Sequence, residues 1–367
     1  MKVIIAGGGT GGHLFPGVAV AEEVTTRQKG NEVLFVGTSR GLEARVIPEL
    51  GYPLELIQVE GLKGRGLTAR VRGMSRLPLA LVACLRIIRR FKPDMAIGVG
   101  GYASGPMILA AWLCGLPTAV LEQNTVPGVT NRILGKIVKR VFVMFEASRD
   151  YFPLGKVEVY GNPIRRQLLE NFLRPPVPGP EGMLRILVLG GSQGAHTLNL
   201  RMLEAVEALK ARWPNLRVTH QTGARDEELV KARYAELEAP AEAHAFIKDM
   251  SSAYRGADLV VCRAGATTLA EVMVARRASI LVPFPHATDN HQELNGQAMV
   301  DAGAALMRAE RELDGPGLAQ MIVELMDDPE RLREMEQAAS RAGRPEAARE
   351  IVDACAELIR RAAGDTP

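Results

Sequence analysis

Two glycine-rich loops, each followed by a histidine, hold the residues of this chain best suited to chemistry. The run VIIAGGGTGGH, which begins at Val3, aligns without a gap with ILVLGGSQGAH, which begins at Ile186. Such loops direct backbone N–H groups and a helix N-terminus at a diphosphate without needing a metal ion. A single loop of this kind is about equally often only a tight strand-to-helix turn. Its recurrence after half of the 367 residues favours two phosphate-binding units.

The residues around these loops argue against two common nucleotide sites. Gly7, Gly9 and Gly12 fit the GxGxxG pattern. A dinucleotide site also needs an acidic residue at the end of the second strand, where this chain has Val36-Gly37-Thr38. Neither loop contains the Gly-Lys-Ser/Thr of a P-loop. NAD-dependent enzymes and P-loop ATPases are therefore disfavoured.

Three further segments follow apolar strands. They are GVGGYASG at 98–105, CRAGATTLAE at 262–271 and PFPHATDNHQELN at 283–295. Open α/β sheets bind ligands at the carboxyl ends of their strands, so all three segments are candidate binding loops. Glu271, which we expect in the first turn of a helix, can either cap backbone amides or accept the two hydroxyls of a ribose.

The elements that position these loops alternate between strand and helix in both halves of the chain. Apolar runs predict strands at 3–6, 33–36, 95–99, 118–121, 141–144 and 157–160, and then from Ile186 and near 217–220, 243–247, 258–262 and 279–282. This pattern predicts an α/β fold with two Rossmann-like domains, each built on a parallel sheet.

We place the domain boundary after residue 163, so that the domains cover residues 1–163 and 164–344. The prolines and glycines of LRPPVPGPEG at 173–182 suit a hinge or linker. A final helix from Glu346 to Ala363 has Ile351, Cys355, Leu358 and Ile359 on one stripe. That stripe can pack on either domain.

Positive charge is concentrated in the first half. Residues 1–160 contain 20 Lys and Arg against 12 Asp and Glu, although the net charge of the chain is only +3. Residues 61–93 contain nine basic side chains and no acidic one, which predicts an anionic partner. Nucleic acid is disfavoured because aromatic residues, at 5% of the chain, offer little surface for base stacking.

The four cysteines lie far apart in apolar runs, which predicts buried free thiols rather than disulfides or zinc ligands. A reducing, cytoplasmic environment follows from this prediction. The chain enters a strand within two residues and has no apolar run of about 18 residues, so neither a signal peptide nor a membrane span is predicted.

Eight ordered motifs resemble those of a bacterial enzyme family. They are GGGTGGHLFPGVAVAEE, GVGGYASGP, LEQNTVPGVTNR, GNPIRR, LGGSQGA, FIKDM, CRAGATTLAE and PFPHATDNHQELNG. Together they resemble the UDP-N-acetylglucosamine:N-acetylmuramyl-(pentapeptide)-pyrophosphoryl-undecaprenol N-acetylglucosamine transferases over about residues 3 to 300. Eight motifs in order are far more specific than any one glycine-rich loop.

This resemblance implies a GT-B fold, in which two Rossmann-like domains with parallel sheets face each other across a cleft. The first domain would bind the lipid acceptor, the second would bind UDP-N-acetylglucosamine (UDP-GlcNAc), and the helix at about 345–367 would pack back on the first. The implied reaction transfers N-acetylglucosamine, with inversion, to the 4-hydroxyl of the muramyl sugar of lipid I, undecaprenyl-pyrophosphoryl-MurNAc-pentapeptide. The product is lipid II, a precursor in peptidoglycan biosynthesis. The resemblance implies no metal, no cofactor and a peripheral location on the cytoplasmic face of the cell membrane.

The resemblance also implies residue roles at the donor site. The backbone of Ile247 would contact the uracil edge, Glu271 would hold the ribose, and Gln292 would hydrogen-bond the sugar. Other implied donor contacts are Arg165, Ser192, Gln193, Ala266, Thr267, Thr268, Leu269 and His291. Some members of the family carry paired glutamines where this chain has His291-Gln292. The resemblance therefore specifies the nucleotide of the donor substrate more firmly than its sugar.

In the first domain, His13 is the implied general base or the group that positions the acceptor hydroxyl. An imidazole that titrates near neutrality can deprotonate an attacking alcohol, which contributes about 10²- to 10⁴-fold in rate. The alternative is a histidine that caps its own loop. His196, the counterpart in the second copy, is interpreted as structural. Other candidates around the donor or acceptor are Gly9, Thr10, Gly11, Tyr102, Glu122 and Asn124.

The segment from Leu77 to Phe91 suggests a use for the basic stretch at 61–93. Leu77, Leu81, Leu85 and Ile88 form an apolar stripe flanked by arginines, as in a peripheral helix resting on anionic lipid. A helix that packs on the sheet, with its arginines in water, fits the pattern equally well.

Two other functions remain open. A related transferase could use UDP-galactose or UDP-glucose on another lipid, such as diacylglycerol, and a mixed-donor assay would separate the two. A non-catalytic nucleotide-sugar binding protein or an epimerase of similar fold would need no acceptor.

Overall fold

The computed structural model describes residues 1–59, 67–172, 174, 177, 179–180, 182–191 and 194–364, without the side chains of 67–76. The chain divides into two compact units. Unit 1 comprises Met1–Arg166 and Pro345–Pro367, and unit 2 comprises Gln167–Arg344.

Unit 1 is built on a sheet of seven parallel strands. The strands are β1 (Lys2–Gly7), β2 (Glu32–Gly37), β3 (Leu54–Leu56), β4 (Met95–Gly100), β5 (Thr118–Glu122), β6 (Arg140–Val143) and β7 (Val157–Val159). Their spatial order is β3-β2-β1-β4-β5-β6-β7, and every pairing is parallel. The helices are α1 (Gly11–Arg27), α2 (Glu43–Glu49), α3 (Leu67–Phe91), α4 (Ser104–Leu113) and α5 (Val129–Leu134), with a 3₁₀ helix at Glu146–Tyr151.

Unit 2 is built on a sheet of six parallel strands. The strands are β8 (Arg185–Leu189), β9 (Arg217–Gln221), β10 (Ala241–His244), β11 (Leu259–Cys262), β12 (Ser279–Leu281) and β13 (Ala305–Met307). Their order is β10-β9-β8-β11-β12-β13. The helices are α6 (Arg166–Phe172), α7 (His196–Arg212), α8 (Glu227–Glu236), α9 (Met250–Gly256), α10 (Ala266–Val274), α11 (His291–Asp301), α12 (Gly315–Met326) and α13 (Pro329–Ala342), with 3₁₀ helices at Thr288–Asn290 and Glu310–Glu312.

The central strands explain why the sequence pattern predicts this fold. Residues 3–6 of β1 and 186–189 of β8 are buried, because helices cover both faces of each sheet. The predicted α/β fold of two Rossmann-like, parallel-sheet units is confirmed. The predicted strands omit β3 and β13, which are three residues long and lie at sheet edges.

The last helix, α14 (Ala347–Ala363), belongs to unit 1. Ile351 and Cys355 of its stripe are buried in a core that includes residues of α1, Ile359 packs against that core, and Leu358 is buried as well. Arg27 of α1 pairs with Asp353 at 2.5 Å and donates to the Arg349 carbonyl at 2.7 Å. The described part of 173–182 packs within unit 2, since Arg185 donates to the Val177 carbonyl at 2.8 Å, so it does not connect the units.

The apolar stripe predicted on α3 faces the core rather than the surface. Ile88 is buried, and Leu81 and Leu85 pack partly buried against the core of unit 1. The exposed apolar side chains in the described part of this helix are Leu77, Leu79 and Val82. The helix is amphipathic as predicted. Three of the four stripe residues pack against the core of unit 1, where they shield the apolar face of the sheet from water. Residues 61–66 of the basic stretch lie outside the described residues.

Three of the four cysteines are buried, and burial raises the pKa of Cys84, Cys262 and Cys355 to about 12. The prediction is wrong for Cys114, which is exposed where α4 ends. Within the described ranges, no helix has both the length and the apolar character required to cross a bilayer.

Candidate active site

Each sheet has a topological switch point where the strand order reverses. In unit 1 it lies between β1 and β4, and in unit 2 it lies between β8 and β11. Crevices at the carboxyl ends of such strand pairs are where open α/β sheets bind ligands. Both glycine-rich repeats follow these strands, so the fold places each repeat at a ligand-binding position.

The first glycine-rich loop contacts the second glycine-rich segment of unit 1. Gly7, Gly8 and Gly9 all have positive φ, a conformation that side chains disfavour. The Gly8 amide donates to the Gly100 carbonyl at 3.2 Å. A Cβ at Gly7 would lie 2.1 Å from that same carbonyl oxygen. The glycines therefore permit the two loops to touch.

A buried carboxylate supports this loop from below. Glu43, which is 1% exposed, accepts from the Gly9 amide at 2.7 Å and from the Thr38 amide at 2.9 Å. The Thr38 hydroxyl donates to the same carboxylate at 3.0 Å. A Cβ at Gly8 would lie 2.4 Å from Glu43 Oε2. Strand β2 has no acidic residue at its end, but Glu43 follows that end by six residues and points inward, where it holds the loop.

His13 lies in the first turn of α1, half-buried beside both loops. Its Nδ1 atom is 2.8 Å from Oε1 of Gln123, the residue that follows β5. The Gln123 amide nitrogen donates to the carbonyls of Val99 at 3.2 Å and Leu121 at 3.3 Å. A Cβ at Gly100 would lie 2.9 Å from His13 Nδ1. The imidazole is therefore held between a buried amide and a bare backbone.

Glu122, predicted near the acceptor, is 1% exposed at the end of β5. Its carboxylate accepts from the amides of Asn124 at 3.0 Å and Gly128 at 3.1 Å, and from Asn131 Nδ2 at 2.9 Å. The geometry gives Glu122 the role of shaping the loop that carries Asn124. Asn124 itself is half-buried.

The other predicted residues of unit 1 surround the start of α1. Thr10 is the exposed N-cap residue of this helix, and Gly11 opens it. Tyr102 is 56% exposed just after β4. Arg165, predicted as a donor contact of the second domain, lies in unit 1, with its guanidinium carbon 4.5 Å from the centre of the Phe15 ring on α1. The ring in this cation–π contact belongs to Phe15, which follows His13 by two residues along the chain.

The glycine-rich loop of unit 2 follows β8. Gly191 and Gly194 have positive φ, and a Cβ at Gly194 would lie 2.5 Å from the Thr222 carbonyl. Ser192 and Gln193, the predicted diphosphate contacts, lie outside the described residues.

His196, which opens α7, is anchored within unit 2. Its Nδ1 atom is 3.1 Å from the carboxylate of Asp226, which is 6% exposed. Asn199 Nδ2 donates to Asp226 at 2.9 Å and to the Thr222 carbonyl at 3.0 Å. These contacts tie the helix to the end of β9, which agrees with a structural role.

Ile247 lies just beyond β10 and is 7% exposed. Its backbone amide donates to Gln221 Oε1 at 3.1 Å. The resemblance assigns the backbone of Ile247 to the uracil edge, and the amide of that backbone is already bound to a side chain at the end of β9.

Helix α10 presents the next group of predicted residues. Ala266 is its first residue, and Thr267 and Thr268 are half-buried in its first turn. Leu269 is fully buried, so only its backbone can meet a ligand. A helix N-terminus with hydroxyl side chains suits a diphosphate.

Glu271 lies in the second turn of α10, which corrects the prediction of a first-turn position. Its Oε2 atom accepts from the Tyr254 hydroxyl at 3.1 Å. Tyr254 is fully buried, and burial holds the pKa of its hydroxyl well above the usual range. The hydroxyl therefore remains a proton donor that orients the carboxylate.

The loop after β12 positions His291 and Gln292 at the start of α11. The amide of Phe284 donates to Gln292 Oε1 at 2.9 Å, and His291 Nδ1 is 2.6 Å from the Thr288 carbonyl. Asn290, the N-cap residue of α11, has φ 54 in the left-handed region that asparagine tolerates. Both predicted side chains are thus half-buried and held by backbone contacts.

Comparison with known proteins agrees with this arrangement. Residues 3–143 match the glycosyltransferase family 28 N-terminal domain, and residues 185–351 match its C-terminal domain. The chain is 57% identical to the UDP-N-acetylglucosamine–N-acetylmuramyl-(pentapeptide) pyrophosphoryl-undecaprenol N-acetylglucosamine transferase of Myxococcus xanthus, over 98% of this chain and 93% of that protein. The chain belongs to glycosyltransferase family 28.

A Geobacter sulfurreducens transferase with the same name is 49% identical to this chain, over 96% of this chain and 97% of that protein. The crystal structure of Acinetobacter baumannii MurG matches with a TM-score of 0.78 at 32% identity, covering 97% of this chain and 99% of that one. A UDP-GlcNAc 2-epimerase from Neisseria meningitidis matches with a TM-score of 0.66 at 14% identity, covering 97% and 100%. That last likeness is one of fold alone. The predicted membership of this transferase family is confirmed, and the chain is a glycosyltransferase.

Sequence reasoning missed several residues that hold the family 28 site together. Gln123, Glu43 and Tyr254 contact predicted residues. Gln123 lies within the motif LEQNTVPGVTNR, from which no role is inferred for it, and Glu43 and Tyr254 lie outside the eight motifs. Arg263, which is 8% exposed, donates to the Val282 and Pro283 carbonyls at 3.0 and 3.2 Å and pairs with Glu310. Its only signal is an arginine in an otherwise small-residue turn. In the described parts of the chain, no cluster of three His, Cys, Asp or Glu side chains is placed to hold a metal ion.

Proposed function

We propose that this chain transfers N-acetylglucosamine from UDP-GlcNAc to the 4-hydroxyl of the muramyl sugar of lipid I and so forms lipid II. The observation that carries the proposal is the 57% identity, over 98% of the chain, with a transferase whose name specifies this donor and this acceptor. The positions of the predicted residues at the two switch points support it.

The proposed reaction is a single displacement at the anomeric carbon. The acceptor oxygen forms the new glycosidic bond, while the bond from the anomeric carbon to the β-phosphate oxygen breaks and UDP leaves with the electron pair. The hydroxyl proton passes to a base on the enzyme and then to solvent. Attack opposite the leaving group inverts the anomeric configuration.

We assign the base to His13. Its Nδ1 atom is bound to Gln123, so Nε2 is the nitrogen that can accept the proton. A general base within hydrogen-bond reach of the hydroxyl contributes about 10²- to 10⁴-fold in rate. Thr10, Gly11, Tyr102 and Asn124 are assigned to the surroundings of the reacting sugars.

Unit 2 is assigned to the donor. The amino end of α10, with Thr267 and Thr268, supplies N–H and hydroxyl donors to the diphosphate. Glu271 accepts from the ribose hydroxyls, and Gln292 contacts the sugar through its amide nitrogen, since Phe284 occupies its oxygen. The uracil N3–H is assigned to the Ile247 carbonyl, because the Ile247 amide is bound to Gln221.

We also propose that unit 1 docks on anionic membranes through the exposed face of α3. Leu77, Leu79 and Val82 are exposed in the middle of this helix, with Leu79 at 72%. Helix α3 leads into β4, so its N-terminal end lies toward the carboxyl ends of the strands, at the edge that carries His13. Apolar contact together with basic side chains suits a peripheral helix on a leaflet that holds a polyprenyl acceptor.

The membrane proposal is tested by vesicle co-sedimentation. Leu79→Glu is expected to weaken binding to vesicles of phosphatidylglycerol and phosphatidylcholine at least several-fold, and salt is expected to weaken binding of the parent. The matched control is Leu154→Glu, which adds the same charge at a leucine of unit 1 that is 97% exposed outside α3. An equal loss of vesicle binding in both variants, or binding by the parent that does not change with salt concentration, would contradict the proposal.

The reaction is tested by transfer of labelled N-acetylglucosamine to a short-chain lipid I analogue. His13→Ala is expected mainly to lower kcat, and Glu271→Ala mainly to raise the KM for UDP-GlcNAc. UDP-glucose, UDP-galactose and diacylglycerol in the same assay separate a transferase of other specificity, and loss of donor without acceptor separates an epimerase. A folded parent that binds UDP yet transfers nothing to lipid I would overturn the proposal.

A further inference from the structure

Gln123 is a buried residue that the proposed reaction does not assign. It is 1% exposed and follows β5, the strand that pairs with β4 on the side away from β1. All three of its described hydrogen bonds lie within the protein: one to His13 Nδ1 and two to main-chain carbonyls. A buried amide with both ends bound has a defined orientation.

The two carbonyl partners determine which end of the amide meets the histidine. Val99 O and Leu121 O can only accept, so the Gln123 nitrogen must face them at 3.2 and 3.3 Å. The reversed amide would place its oxygen against two carbonyl oxygens and leave both buried acceptors without this donor. Oε1 therefore faces His13 Nδ1, at 2.8 Å.

An amide oxygen can only accept, which determines the proton position on the ring. In neutral imidazole one nitrogen carries the proton and the other carries a lone pair, and the partner of one nitrogen sets the state of the other. Because Nδ1 must donate to Gln123, Nε2 holds the lone pair. Gly100, whose added Cβ would lie 2.9 Å from Nδ1, keeps the ring against this partner.

We propose that Gln123 is a positioning residue that fixes His13 in the Nδ1–H tautomer and thereby makes Nε2 the proton acceptor. This inference rests on the proposed function for its catalytic consequence, but the tautomer itself is a property of the enzyme without substrate. The Gln123 nitrogen donates to Val99 O of β4 and to Leu121 O of β5. These two strands therefore hold the amide that orients the base.

The neutral partner distinguishes this arrangement from a histidine paired with a carboxylate, such as His196 with Asp226 in unit 2. A carboxylate adds a charged partner beside the ring, whereas an amide orients the ring without adding a charge. Among the described residues, two acids beside these loops have partners other than His13: Glu43 holds the Gly9 amide, and Glu122 holds Asn124 and Asn131.

The first measurement is the tautomer of His13 in the unliganded parent. Long-range ¹H–¹⁵N correlation spectra of protein labelled at histidine nitrogen distinguish Nδ1–H from Nε2–H rings. His13→Asn identifies the His13 signals among the six histidines. We expect the Nδ1–H pattern, and an Nε2–H pattern in the parent overturns the proposal without any variant having to fold.

The second measurement uses Gln123→Met, which keeps the length and apolar stem of the side chain but removes the amide. We expect the His13 signals to lose the pure Nδ1–H pattern, kcat to fall about 10-fold or more, and the KM for UDP-GlcNAc to change less than about 2-fold. The control Asn131→Leu removes the other side-chain amide that donates to the Leu121 carbonyl, at 3.1 Å, without touching His13. Its His13 signals should keep the parent pattern.

The outcomes separate this inference from the proposed function. A parent with Nδ1–H at His13 but no transfer to lipid I retains the positioning device and rejects the reaction. An active parent whose Gln123→Met variant keeps both the Nδ1–H pattern and the parent kcat rejects the role of Gln123 alone. A change of pattern that also occurs in Asn131→Leu assigns the effect to general loosening of the loop and rejects the role as well.

Discussion

At the scale of single residues, the candidate site depends on buried groups that orient its polar side chains. Tyr254 orients Glu271 as Gln123 orients His13, in each case from a position less than 2% exposed. Hydrogen bonds to charged groups contribute about 1.5–3 kcal/mol when their partner is buried. The geometry of the carboxylate that we assign to the ribose should therefore depend on a buried hydroxyl.

Tyr254→Phe tests this dependence. Removal of the hydroxyl is expected to raise the KM for UDP-GlcNAc and the Kd for UDP about 5- to 10-fold with little change in kcat, since about 1 kcal/mol or more of orientation is lost. The measurement is steady-state kinetics together with calorimetric titration of UDP.

Tyr234→Phe is the matched control for that prediction. It removes a buried hydroxyl of the same unit, 2.9 Å from His220 Nδ1 and without contact to Glu271. It should lower the unfolding midpoint to a similar extent and leave the donor KM near the parent value. Equal KM changes in both variants would assign the effect to stability.

At the scale of elements, the loops of unit 1 are packed so closely that glycine is required at their contacts. Gly100 combines φ +97 with a Cβ position 2.9 Å from His13 Nδ1. Gly115, after α4, has φ +76 and nothing within 4 Å of its Cβ position. Both glycines have positive φ, but only Gly100 is crowded at its Cβ position. Substitutions at the two positions therefore separate backbone strain from steric crowding.

Gly100→Ala is expected to displace the imidazole and lower kcat at least 10-fold, whereas Gly115→Ala should leave kcat near the parent value. Both substitutions should cost about 1 kcal/mol of stability through the positive φ. Transfer assays beside chemical unfolding measure the two effects. A parent-like kcat in Gly100→Ala would show that the loop can move aside without disturbing His13.

Glu43→Gln tests the support beneath the first loop. One carboxylate oxygen of Glu43 accepts from the Gly9 amide and the other accepts from Thr38. A glutamine side chain has only one acceptor oxygen, so its NH₂ group must face one of these two N–H donors. We expect a loss of about 2 kcal/mol in the free energy of unfolding and a lower kcat. Glu49→Gln, an exposed glutamate at the end of the same helix, is the control and should change neither quantity. Unchanged stability in Glu43→Gln would contradict a supporting role.

At the scale of the whole molecule, the internal repeat predicts two parallel-sheet units because buried parallel strands give continuous apolar runs. Strand β3 escapes prediction because its sequence Leu-Glu-Leu lacks that pattern, and β13 escapes it because its apolar run is only three residues long. Gln123 also escapes prediction, because its role arises only where β1, β4 and β5 meet. The stripe on α3 predicts an amphipathic helix, but periodicity does not say whether sheet or lipid covers a given face.

Unit 2 contains a second orientation network that makes its stability depend on pH. His220, fully buried, lies 3.0 Å from Asn199 Oδ1 through Nε2 and 2.9 Å from the Tyr234 hydroxyl through Nδ1. Asn199 turns its nitrogen toward Thr222 and Asp226, so its oxygen accepts from His220 Nε2 and Nδ1 accepts from Tyr234. Burial of this neutral ring lowers the pKa of His220 from 6.5 to about 3.

The unfolded chain therefore binds a proton at this residue below about pH 6.5, whereas the folded unit resists it down to about pH 3. Because the unfolded state holds more protons in that window, stability falls as the pH falls from 6.5 towards 3, with a limiting slope of about 1.4 kcal/mol per pH unit. His220→Gln, which can keep both hydrogen bonds, should reduce the slope by up to that amount. Urea unfolding in a Trp112→Phe background, which leaves Trp213 of unit 2 as the fluorescent reporter, measures it at each pH. Exposed His244→Gln should keep the parent slope, and an unchanged slope in His220→Gln would show that the buried ring takes up its proton without unfolding the unit.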